Sequence, residues 1–494
     1  MISQMTPLSV WEMSQLNALL APAAQVVSDS RRVQPGDVFL AFRGEYADGR
    51  DYIAAALERG AAAVLWDSAD GFAWPAQWAA TPNLAVPELR ARAGVIASHA
   101  LGHPSQAMTV IGITGTNGKT SISHWLAQAF SLLGHKAALL GTVGNGFIGQ
   151  LTAATHTTPD PVTVQHKLAE YRAEGAQVVA MEVSSHGLDQ FRVNGVAFAT
   201  AVFTNLTRDH LDYHGDMAAY GASKARLFHW QGLRHAVINV DDPFGCELVA
   251  SLAGSGVQVF SYGLDGGDIT VSQLEASLAG LRLSVRTPWG EGRIESPLLG
   301  RFNAANLLAS LGALCANGVA LADACAALGR IAPARGRMQH LGGGALPLVV
   351  VDYAHTPDAL DKALATLADV RPAGGRLYAV FGCGGDRDPG KRPQMGGIAQ
   401  ARADVAVVTS DNPRSEAPEA IIADILAGMS APGHVDADRA RAIDWAIAQA
   451  QAGDVVLIAG KGHEEYQDIA GVKQPFSDFA VAEAALSRWS RQHG

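Results

Sequence analysis

The residues most suited to chemistry in this sequence are a lysine and a threonine in the segment GITGTNGKTS, residues 112–121. The segment follows a strand-like apolar run, TVIGITG, and precedes a helical pattern, SISHWLAQAF. Backbone N–H groups at the start of a helix bind phosphate, an adjacent lysine reaches the terminal phosphates, and a hydroxyl contacts Mg²⁺. Lys119 and Thr120 are therefore predicted to bind the phosphates and the metal ion of a nucleotide.

The glycine spacing differs from the usual P-loop, G-x-x-x-x-G-K-[ST]. Its first glycine would occupy position 113, which is Ile113, whereas glycines occur at 112 and 115. Gly115 and Gly118 can still adopt the unusual backbone angles that such a loop needs. The pattern indicates either a P-loop with a displaced glycine or a different class of nucleotide loop.

Candidate metal ligands follow the next two buried strands. The segment MEVSSHGLDQFR begins at a strand end and contains Glu182. The segment FTNLTRDHLDYHG follows the next strand and contains Asp209, His210, Asp212 and His214. Ligands in open α/β sheets bind beyond the carboxyl ends of the strands, so these carboxylates and imidazoles are predicted to bind a metal that faces the phosphates.

Two other chemistries are conceivable for these segments. The spacing of His210 and His214 is compatible with zinc ligation, but no H-E-x-x-H motif is present. Ser184 and Ser185 stand beside His186, as a serine nucleophile and its base would, but no G-x-S-x-G motif surrounds them. Both readings are disfavoured.

The C-terminal part of the chain carries three loops that mix cations and carboxylates. They are FGCGGDRDPGKRP with Arg387, Lys391 and Arg392; TSDNPRSE with Asp411, Asn412 and Arg414; and AGKGHEEYQ with Lys461, His463 and Glu464. An arginine can bind a carboxylate through two hydrogen bonds, and an aspartate or glutamate can bind an ammonium group. The loops therefore suit a zwitterionic ligand, although mixed charge is also common on solvated surface loops.

Apolar runs with little alternation separate these loops, as in parallel strands that are buried on both faces. One series begins at Thr109 and a second after Arg337, whereas residues 269–298 alternate and predict an antiparallel appendage. We therefore predict an α/β fold with two doubly wound, mostly parallel sheets and a substrate bound between domains. The predicted domains are residues 1–87, 88–337 and 338–494.

Amino-acid composition and net charge argue against two classes of protein, those that bind nucleic acid and those that span a membrane. The chain has 494 residues, 48% hydrophobic and 17% charged, with a formal net charge of −10. An acidic balance argues against nucleic-acid binding, and no apolar stretch of about 18 residues is present to cross a membrane. Four scattered cysteines without a C-x-x-C pair indicate a reduced, cytoplasmic protein.

Many segments together carry a resemblance to a known family. Besides TGTNGKTS they are DSR, ADGRDYI, LGTVGNG, HTTPDP, MEVSSHGLDQFR, TNLTRDHLDYHGD, GRFNAANLLAS, GRMQ, DYAHTPDAL, FGCGGDRDPGKRP, SDNPRSE and GKGHE. This set resembles the Mur ligases over nearly the whole chain, and the early glycine is that family's form of the loop. The resemblance implies three domains: one that binds UDP, a central ATPase with the P-loop sheet, and a Rossmann-like C-terminal domain that binds an amino acid.

The resemblance also implies a reaction. Within the family, the form DNPR is associated with addition of meso-diaminopimelate to the D-Glu side-chain carboxylate of UDP-MurNAc-L-Ala-D-Glu, through an acyl phosphate, in peptidoglycan precursor synthesis. We expect ATP as co-substrate, Mg²⁺ as cofactor, and a monomeric cytoplasmic enzyme without nucleic-acid or membrane partners. The alternatives are a lysine-adding Mur ligase, a folylpolyglutamate synthase-like ligase, a P-loop regulatory switch and, more remotely, a non-enzymatic binding module.

The family's site residues are carried over position by position. The catalytic residues implied are Lys119, Lys224, His210 and Glu182. The metal ligands implied are Thr120, Glu182, His210 and Lys224 as a carbamate. The ATP contacts implied are Gly115, Thr116, Asn117, Gly118, Lys119, Thr120, Ser121, Asn303, Arg337 and Asp352. The contacts to the UDP-linked dipeptide implied are Ser28, Ser30, Glu45, Tyr46, Ala47, Thr157, Thr158, Ser184, Gln190 and Arg192. The diaminopimelate contacts implied are Arg387, Asp411, Asn412, Pro413, Arg414, Gly460 and Glu464.

Lys224 is the residue whose interpretation changes most. It lies in the helical segment YGASKARLF, where a lysine is usually solvated, and the residues alone assign it nothing more. Only the resemblance implies that it is carbamylated and organises magnesium.

Overall fold

The computed structural model describes residues 10–20, 25–45, 47–154 and 156–493. It is an α/β structure with mostly parallel sheets, as predicted. The chain divides into two compact units, one of residues 1–267 with 312–319 and one of residues 268–311 with 320–494. Tyr46, one of the predicted contacts, lies outside the described residues, and the predicted domain boundaries stay predictions.

The first sheet is fully parallel, in the order β1-β2-β3-β4. Its strands are β1 (Val26–Val27), β2 (Val38–Ala41), β3 (Ala63–Asp67) and β4 (Asn83–Val86). The accompanying helices are α1 (Val10–Leu20), α2 (Ile53–Glu58) and α3 (Leu89–Ala100), with 3₁₀ turns at Ser30–Arg32, Gly49–Tyr52, Ala69–Gly71, Ala76–Trp78 and Pro104–Ala107. The segment GDVFLAF forms β2, and DYIAAALERGAAAVLW forms α2, a turn at Gly60 and β3.

The second sheet of the first unit has the order β11-β10-β9-β5-β8-β6-β7, and only β7 runs antiparallel. Its strands are β5 (Thr109–Thr114), β6 (Ala137–Gly141), β7 (Gly144–Phe147), β8 (Val178–Glu182), β9 (Phe198–Phe203), β10 (His235–Asn239) and β11 (Gln258–Gly263). The helices are α4 (Lys119–Leu132), α5 (Pro161–Ala173), α6 (Ser185–Asp189), α7 (Leu211–His214), α8 (Met217–Ala225) and α9 (Pro243–Ser251). Because β5 lies between β8 and β9, the loops that follow these three strands meet at one edge.

The predicted antiparallel appendage is confirmed in the second unit. It is a meander of β12 (Ile269–Ser277), β13 (Gly280–Thr287) and β14 (Gly290–Ser296). Along β13 the burial alternates, with Leu281, Leu283 and Val285 buried, as expected for strands with one apolar face. The helices α10 (Arg301–Ala316) and α11 (Leu321–Leu328) follow.

The C-terminal sheet has the order β15-β16-β20-β17-β18-β19, with only the edge strand β15 antiparallel. Its strands are β15 (Gln339–Gly342), β16 (Leu348–Asp352), β17 (Leu377–Phe381), β18 (Val405–Val408), β19 (His434–Val435) and β20 (Val455–Ala459), followed by the hairpin β21 (Tyr466–Ile469) and β22 (Val472–Pro475). The helices are α12 (Pro357–Val370), α13 (Lys391–Arg402), α14 (Pro418–Leu426), α15 (Arg439–Gln449) and α16 (Asp478–His493). Within the described residues, no helix is both long enough and apolar enough to span a membrane.

Apolar side chains on both faces of this sheet explain its doubly wound form. Val350, Leu457 and Phe381 pack in one core, and Val351 and Ile458 pack in another. Successive residues of one strand thus enter opposite cores, which is why the strands show no polar alternation in the sequence.

A buried ion pair joins α15 and α16 beneath the carboxyl ends of β18 and β20. Arg439 binds both carboxylate oxygens of Asp478 at 2.7 Å, and both side chains are 0% exposed. The same guanidinium donates to the carbonyl oxygens of Ser410 (3.2 Å) and Ala459 (2.9 Å). Arg439 therefore anchors the last residues before two of the charged loops.

We expect Asp478→Ala to lower the free energy of unfolding of the C-terminal domain by about 3–5 kcal/mol, because Arg439 would stay buried without its anion. The matched control is Asp444→Ala, since Asp444 pairs with Arg488 across the same two helices at 2.6 Å, with both side chains about half exposed. That loss should be at most about 1 kcal/mol. Urea unfolding followed by tryptophan fluorescence measures both, and equal losses would contradict the anchoring role.

Candidate active site

The loop between β5 and α4 depends on two glycines. Gly115 has φ +144°, and a Cβ atom there would lie 1.8 Å from the Thr204 hydroxyl oxygen. Gly118 has φ +91° and immediately precedes the first residue of α4. No other residue type fits at Gly115, so the predicted role of both glycines in the turn is confirmed.

The segment that follows β9 holds this loop in place. The backbone N–H of Thr116 donates to the Asn205 carbonyl at 2.8 Å, and that of Asn117 donates to the Asn205 side chain at 3.0 Å. The Thr204 hydroxyl donates to the Asn117 carbonyl at 2.6 Å. Sequence reasoning missed these anchors, although the segment TNLT that contains them was among the family motifs.

Two ammonium groups converge on the same carbonyl. Lys119 donates to the Gly115 and Thr116 carbonyl oxygens, each at 2.8 Å. Lys224 donates to the Gly115 carbonyl at 2.8 Å and lies 4.3 Å from the centre of the Tyr220 ring. Lys224 is 1% exposed, so the reading of a solvated helix lysine is wrong. Burial, reinforced by the Lys119 ammonium, holds the pKa of Lys224 well below its ordinary value.

Glu182 lies at the end of β8, is 0% exposed and accepts three hydrogen bonds. The Thr120 hydroxyl donates at 2.9 Å, the Thr142 backbone N–H at 2.7 Å and the Thr142 hydroxyl at 3.1 Å. Sequence reasoning did not single out Thr142, although it quoted the motif LGTVGNG. The strand order brings Thr142 here, because β6 and β8 are neighbours.

His210 immediately precedes α7, with φ 54° and a half-exposed side chain. Burial of its ring lowers the pKa of His210, and the Asp209 carboxylate opposes that shift. The charges of Lys119 and Lys224 add to the lowering.

Two of the residues predicted to bind Mg²⁺, Thr120 and Glu182, are oxygen donors in direct contact. The Thr120 hydroxyl and the Glu182 carboxylate adjoin each other at a buried strand end beside the phosphate loop. Hard oxygen ligands of this kind suit Mg²⁺. In the part of the chain that the structure describes, no three His, Cys, Asp or Glu side chains group closely enough to hold a metal.

The alternative residues have other partners. His214 pairs with the Ser185 hydroxyl at 2.9 Å, and Ser185 is 2% exposed. The Ser184 hydroxyl accepts from the Gly187 backbone N–H at 3.0 Å and caps α6. These contacts favour structural roles over a zinc site or a serine nucleophile.

The residues predicted to contact the dipeptide form one network with the N-terminal sheet. The Arg192 guanidinium donates to the Thr158 carbonyl at 2.8 Å and to the Gln190 side-chain carbonyl at 2.9 Å. Gln190 in turn donates to the Glu45 carboxylate at 2.7 Å. The Thr157 and Thr142 hydroxyl oxygens lie 3.0 Å apart, which connects this network to Glu182's partner. The structure thus brings together residues that are about 150 positions apart.

The remaining predicted uridine contacts lie in the loops around β2. The Ser28 hydroxyl donates to Asp160, the cap of α5, at 3.4 Å. Ser30 is buried at the start of a 3₁₀ turn, and the Ala47 carbonyl accepts from the Gly44 backbone N–H at 2.8 Å.

In the second unit, the predicted ATP contacts Arg337 and Asp352 are neighbours. The Arg337 guanidinium lies 4.8 Å from the centre of the Tyr353 ring, and Asp352 accepts from the Met338 backbone N–H at 2.8 Å. Burial raises the pKa of Asp352, and the Arg337 charge opposes that shift. The third contact, Asn303, is on α10, where its side chain donates to the Leu299 carbonyl at 2.7 Å.

The predicted amino-acid residues follow three adjacent strands, β20, β17 and β18. Asp411 and Asn412 are buried after β18, and the Asn412 side chain donates to Glu464 at 2.8 Å. Gly460 has φ +118°, and a Cβ atom there would lie 2.3 Å from an Asp411 carboxylate oxygen. Glycine at 460 therefore lets that carboxylate lie against the backbone.

Two further predicted residues are arginines in the loops after β17 and β18. Arg414 adopts φ 51°, directly after the buried Pro413, and its guanidinium donates to the Gly385 carbonyl at 2.7 Å. Arg387 is exposed, and its guanidinium donates to the Asp386 carbonyl at 3.2 Å. The loops after these three strands thus carry both cations and carboxylates, a combination that suits a zwitterion.

Comparison with known proteins agrees with this geometry. The Mur ligase family catalytic domain matches residues 23–101, the Mur ligase middle domain residues 113–314, and the Mur ligase glutamate ligase domain residues 336–462. The chain is 70% identical to UDP-N-acetylmuramoyl-L-alanyl-D-glutamate–2,6-diaminopimelate ligase from Chromobacterium violaceum, with 100% of both chains covered. It is 55% identical to the protein of that name from Neisseria meningitidis serogroup B, covering 98% of this chain and 99% of the relative.

A solved structure of a protein with that name has a TM-score of 0.72 and 40% sequence identity, covering 96% of each chain. The likeness in sequence therefore extends over all three sheets and both sets of strand-end loops. On this evidence, the chain belongs to the Mur ligase family.

Proposed function

We propose that this protein is an ATP-dependent ligase that adds meso-diaminopimelate to the D-Glu side-chain carboxylate of UDP-MurNAc-L-Ala-D-Glu in peptidoglycan precursor synthesis. The observation that carries the proposal is the full-length 70% identity to a relative named for that reaction. We further propose that it acts as a cytoplasmic monomer.

The alternatives are weaker on specific grounds. A lysine-adding ligase would not need a cation to bind a second carboxylate. In this chain the backbone N–H and carbonyl groups of Arg414 are both hydrogen-bonded, which restricts the direction of its side chain. A folylpolyglutamate synthase-like ligase would share the ATP loop and the amide-forming chemistry, but the long N-terminal domain and DNPR argue against it. A P-loop switch accounts for the phosphate loop only and does not explain why Asp411, Arg414 and Glu464 follow adjacent strands.

The first step is transfer of the γ-phosphate of ATP to the substrate carboxylate, and the phosphate loop contributes by positioning that phosphate and neutralising its charge. Lys119 and the backbone N–H groups at the start of α4 neutralise the γ-phosphate as it moves to the substrate carboxylate. Thr120 and Glu182, with His210 and a carbamate on Lys224, would hold Mg²⁺. When bound, Mg²⁺ supplies positive charge to the phosphate oxygens.

The environment of Lys224 favours a carbamate. Burial lowers the pKa of Lys224 and so favours the neutral amine, which is the form that adds to carbon dioxide. The new N–C bond releases one proton and converts the side chain into an anion beside the Lys119 ammonium.

In the second step, an amine of diaminopimelate attacks the acyl phosphate, an amide C–N bond forms, and phosphate leaves. Asp411 and Glu464 would hold an ammonium group, while Arg414 would bind the carboxylate that distinguishes diaminopimelate from lysine. Arg192 and Gln190, locked together by hydrogen bonds, would orient the dipeptide end of the other substrate.

The proposal is tested by offering the enzyme ATP, UDP-MurNAc-L-Ala-D-Glu and equal concentrations of diaminopimelate and lysine. Mass spectrometry should find the diaminopimelate product in excess by about 30- to 4,000-fold, because lysine would leave Arg414 without its anion.

Arg414→Ala should depress use of diaminopimelate far more than it changes the KM for ATP. Arg402→Ala, which removes an exposed arginine paired with Asp361, is the control and should behave as wild type. Equal incorporation of the two amino acids by wild type would refute the assignment.

Lys119→Ala should slow ligation by at least about 100-fold, because the transferring phosphate would lose its fixed cation. ADP release in the presence of both other substrates measures the effect. Lys136→Ala removes an exposed lysine of the same sheet and should leave the rate unchanged. Near-normal turnover by a folded Lys119→Ala protein would show that this loop does not bind the reacting phosphate.

Lys224→Ala should be nearly inactive, and formate or acetate should partly restore turnover by replacing the carbamate. Lys224→Arg keeps a cation but cannot form the carbamate, so it should also be inactive. An active Lys224→Ala enzyme without added acid would exclude the carbamate role.

A further inference from the structure

Lys461 is a fully buried lysine in the loop after β20, between two glycines, and the reaction described above assigns it no role. Its side chain is 0% exposed. The ammonium group donates to the Asn412 side-chain carbonyl at 2.9 Å and to a Glu464 carboxylate oxygen, Oε2, at 3.1 Å. Both partners are residues proposed to contact diaminopimelate.

These contacts close a triangle. The Asn412 side-chain NH₂ donates to the same Glu464 Oε2 at 2.8 Å. The Asp468 backbone N–H donates to Asn412 Oδ1 at 2.9 Å, so that this oxygen accepts two hydrogen bonds. The orientation of the Asn412 amide is therefore set from both ends, and Lys461 is one of the two donors that set it.

The triangle also determines which carboxylate oxygen of Glu464 is left for a ligand. Both donors meet Oε2, and in the described part of the chain no hydrogen bond reaches Oε1. The side chain of Glu464 is 17% exposed, whereas Lys461 is completely enclosed. Glu464 can thus offer Oε1 to a ligand while Lys461 binds the other carboxylate oxygen, Oε2.

A buried ammonium is costly unless it is paired with good geometry. The pairing therefore constrains all three side chains together. Without the Lys461 charge, Glu464 would be anchored by Asn412 alone and the Asn412 amide would lose one of its two donors. Both side chains would gain rotational freedom at the surface that meets the amino acid.

We propose that Lys461 is the positioning residue of the amino-acid pocket. It fixes Asn412 and Glu464 in the orientation that accepts an ammonium group of diaminopimelate, without touching the substrate itself. This inference rests on the proposed function, because it assumes that Glu464 faces the amino acid.

The test compares Lys461→Met with Lys473→Met. Lys473 is exposed on β22 and lies 4.2 Å from the centre of the Tyr466 ring, the same ring that Lys461 faces at 5.5 Å. Lys461→Met should raise the KM for diaminopimelate by about 10- to 100-fold, as expected for a misplaced binding group. The KM values for ATP and for the UDP-linked dipeptide should change by less than about two-fold. Lys473→Met should match wild type in all three.

A double variant separates positioning from a general loss of structure. If Lys461 acts through Glu464 and Asn412, then adding Lys461→Met to Glu464→Gln should raise the KM for diaminopimelate by much less than the roughly 10- to 100-fold expected in the wild-type background. The double variant also leaves no unpaired buried charge, so this comparison stands even if Lys461→Met alone does not fold. A rise of about 10-fold or more from Glu464→Gln to the double variant, or equal rises for all three substrates, would overturn the proposal. A wild-type enzyme that does not use diaminopimelate would instead refute the proposed function.

Discussion

The structure depends on one constraint: charged side chains near the carboxyl ends of its parallel strands must be stabilised away from water. Such ends are enclosed by neighbouring strands and helices, so a charged side chain there must find fixed partners instead of water. Glu182 accepts three hydrogen bonds, Arg439 forms a two-point pair with Asp478, and Lys461 is held between Asn412 and Glu464. Each charge is thereby fixed in direction before any ligand arrives, which is the arrangement that electrostatic catalysis requires.

Lys224 differs from these three, and the difference is chemical. Its ammonium has a backbone carbonyl and an aromatic ring as partners, and its pKa is lowered by burial. A neutral amine in that position can become an anion by reacting with carbon dioxide. The same enclosure that surrounds fixed ion pairs elsewhere lowers the pKa of this lysine, on which the proposed carbamate depends.

The strand-end loops of the first unit and those of the second unit are proposed to bind charged ligands through different groups. In the first unit, glycine at 115 lets the loop backbone pass close to Thr204, and α4 begins four residues later, at Lys119. In the second unit, glycine at 460 lets the Asp411 carboxylate approach the backbone, and side chains of both signs surround it. Phosphate is bound by backbone dipoles, whereas a zwitterionic amino acid needs separate cations and anions.

Much of this could be predicted from the sequence because it is local. The strand, glycine turn and GKT that form the phosphate loop are contiguous, and the buried strands of both sheets read as apolar runs. Glu182, His210, Asp411 and Glu464 were identified because each follows such a run. The family motifs then identified Lys224, whose helical context alone indicated a solvated residue.

Tertiary structure decided which of these residues meet. Thr142 bonds to Glu182 because β6 lies beside β8, and Lys461 bonds to Asn412 because the loops after β20 and β18 both border the pocket. Arg192, Gln190 and Glu45 join across about 150 positions of sequence. Hydrophobic periodicity reports which residues are buried, but it contains no information about the order of strands in a sheet. The partners of a buried charge are set by that order, and so only the folded chain reveals them.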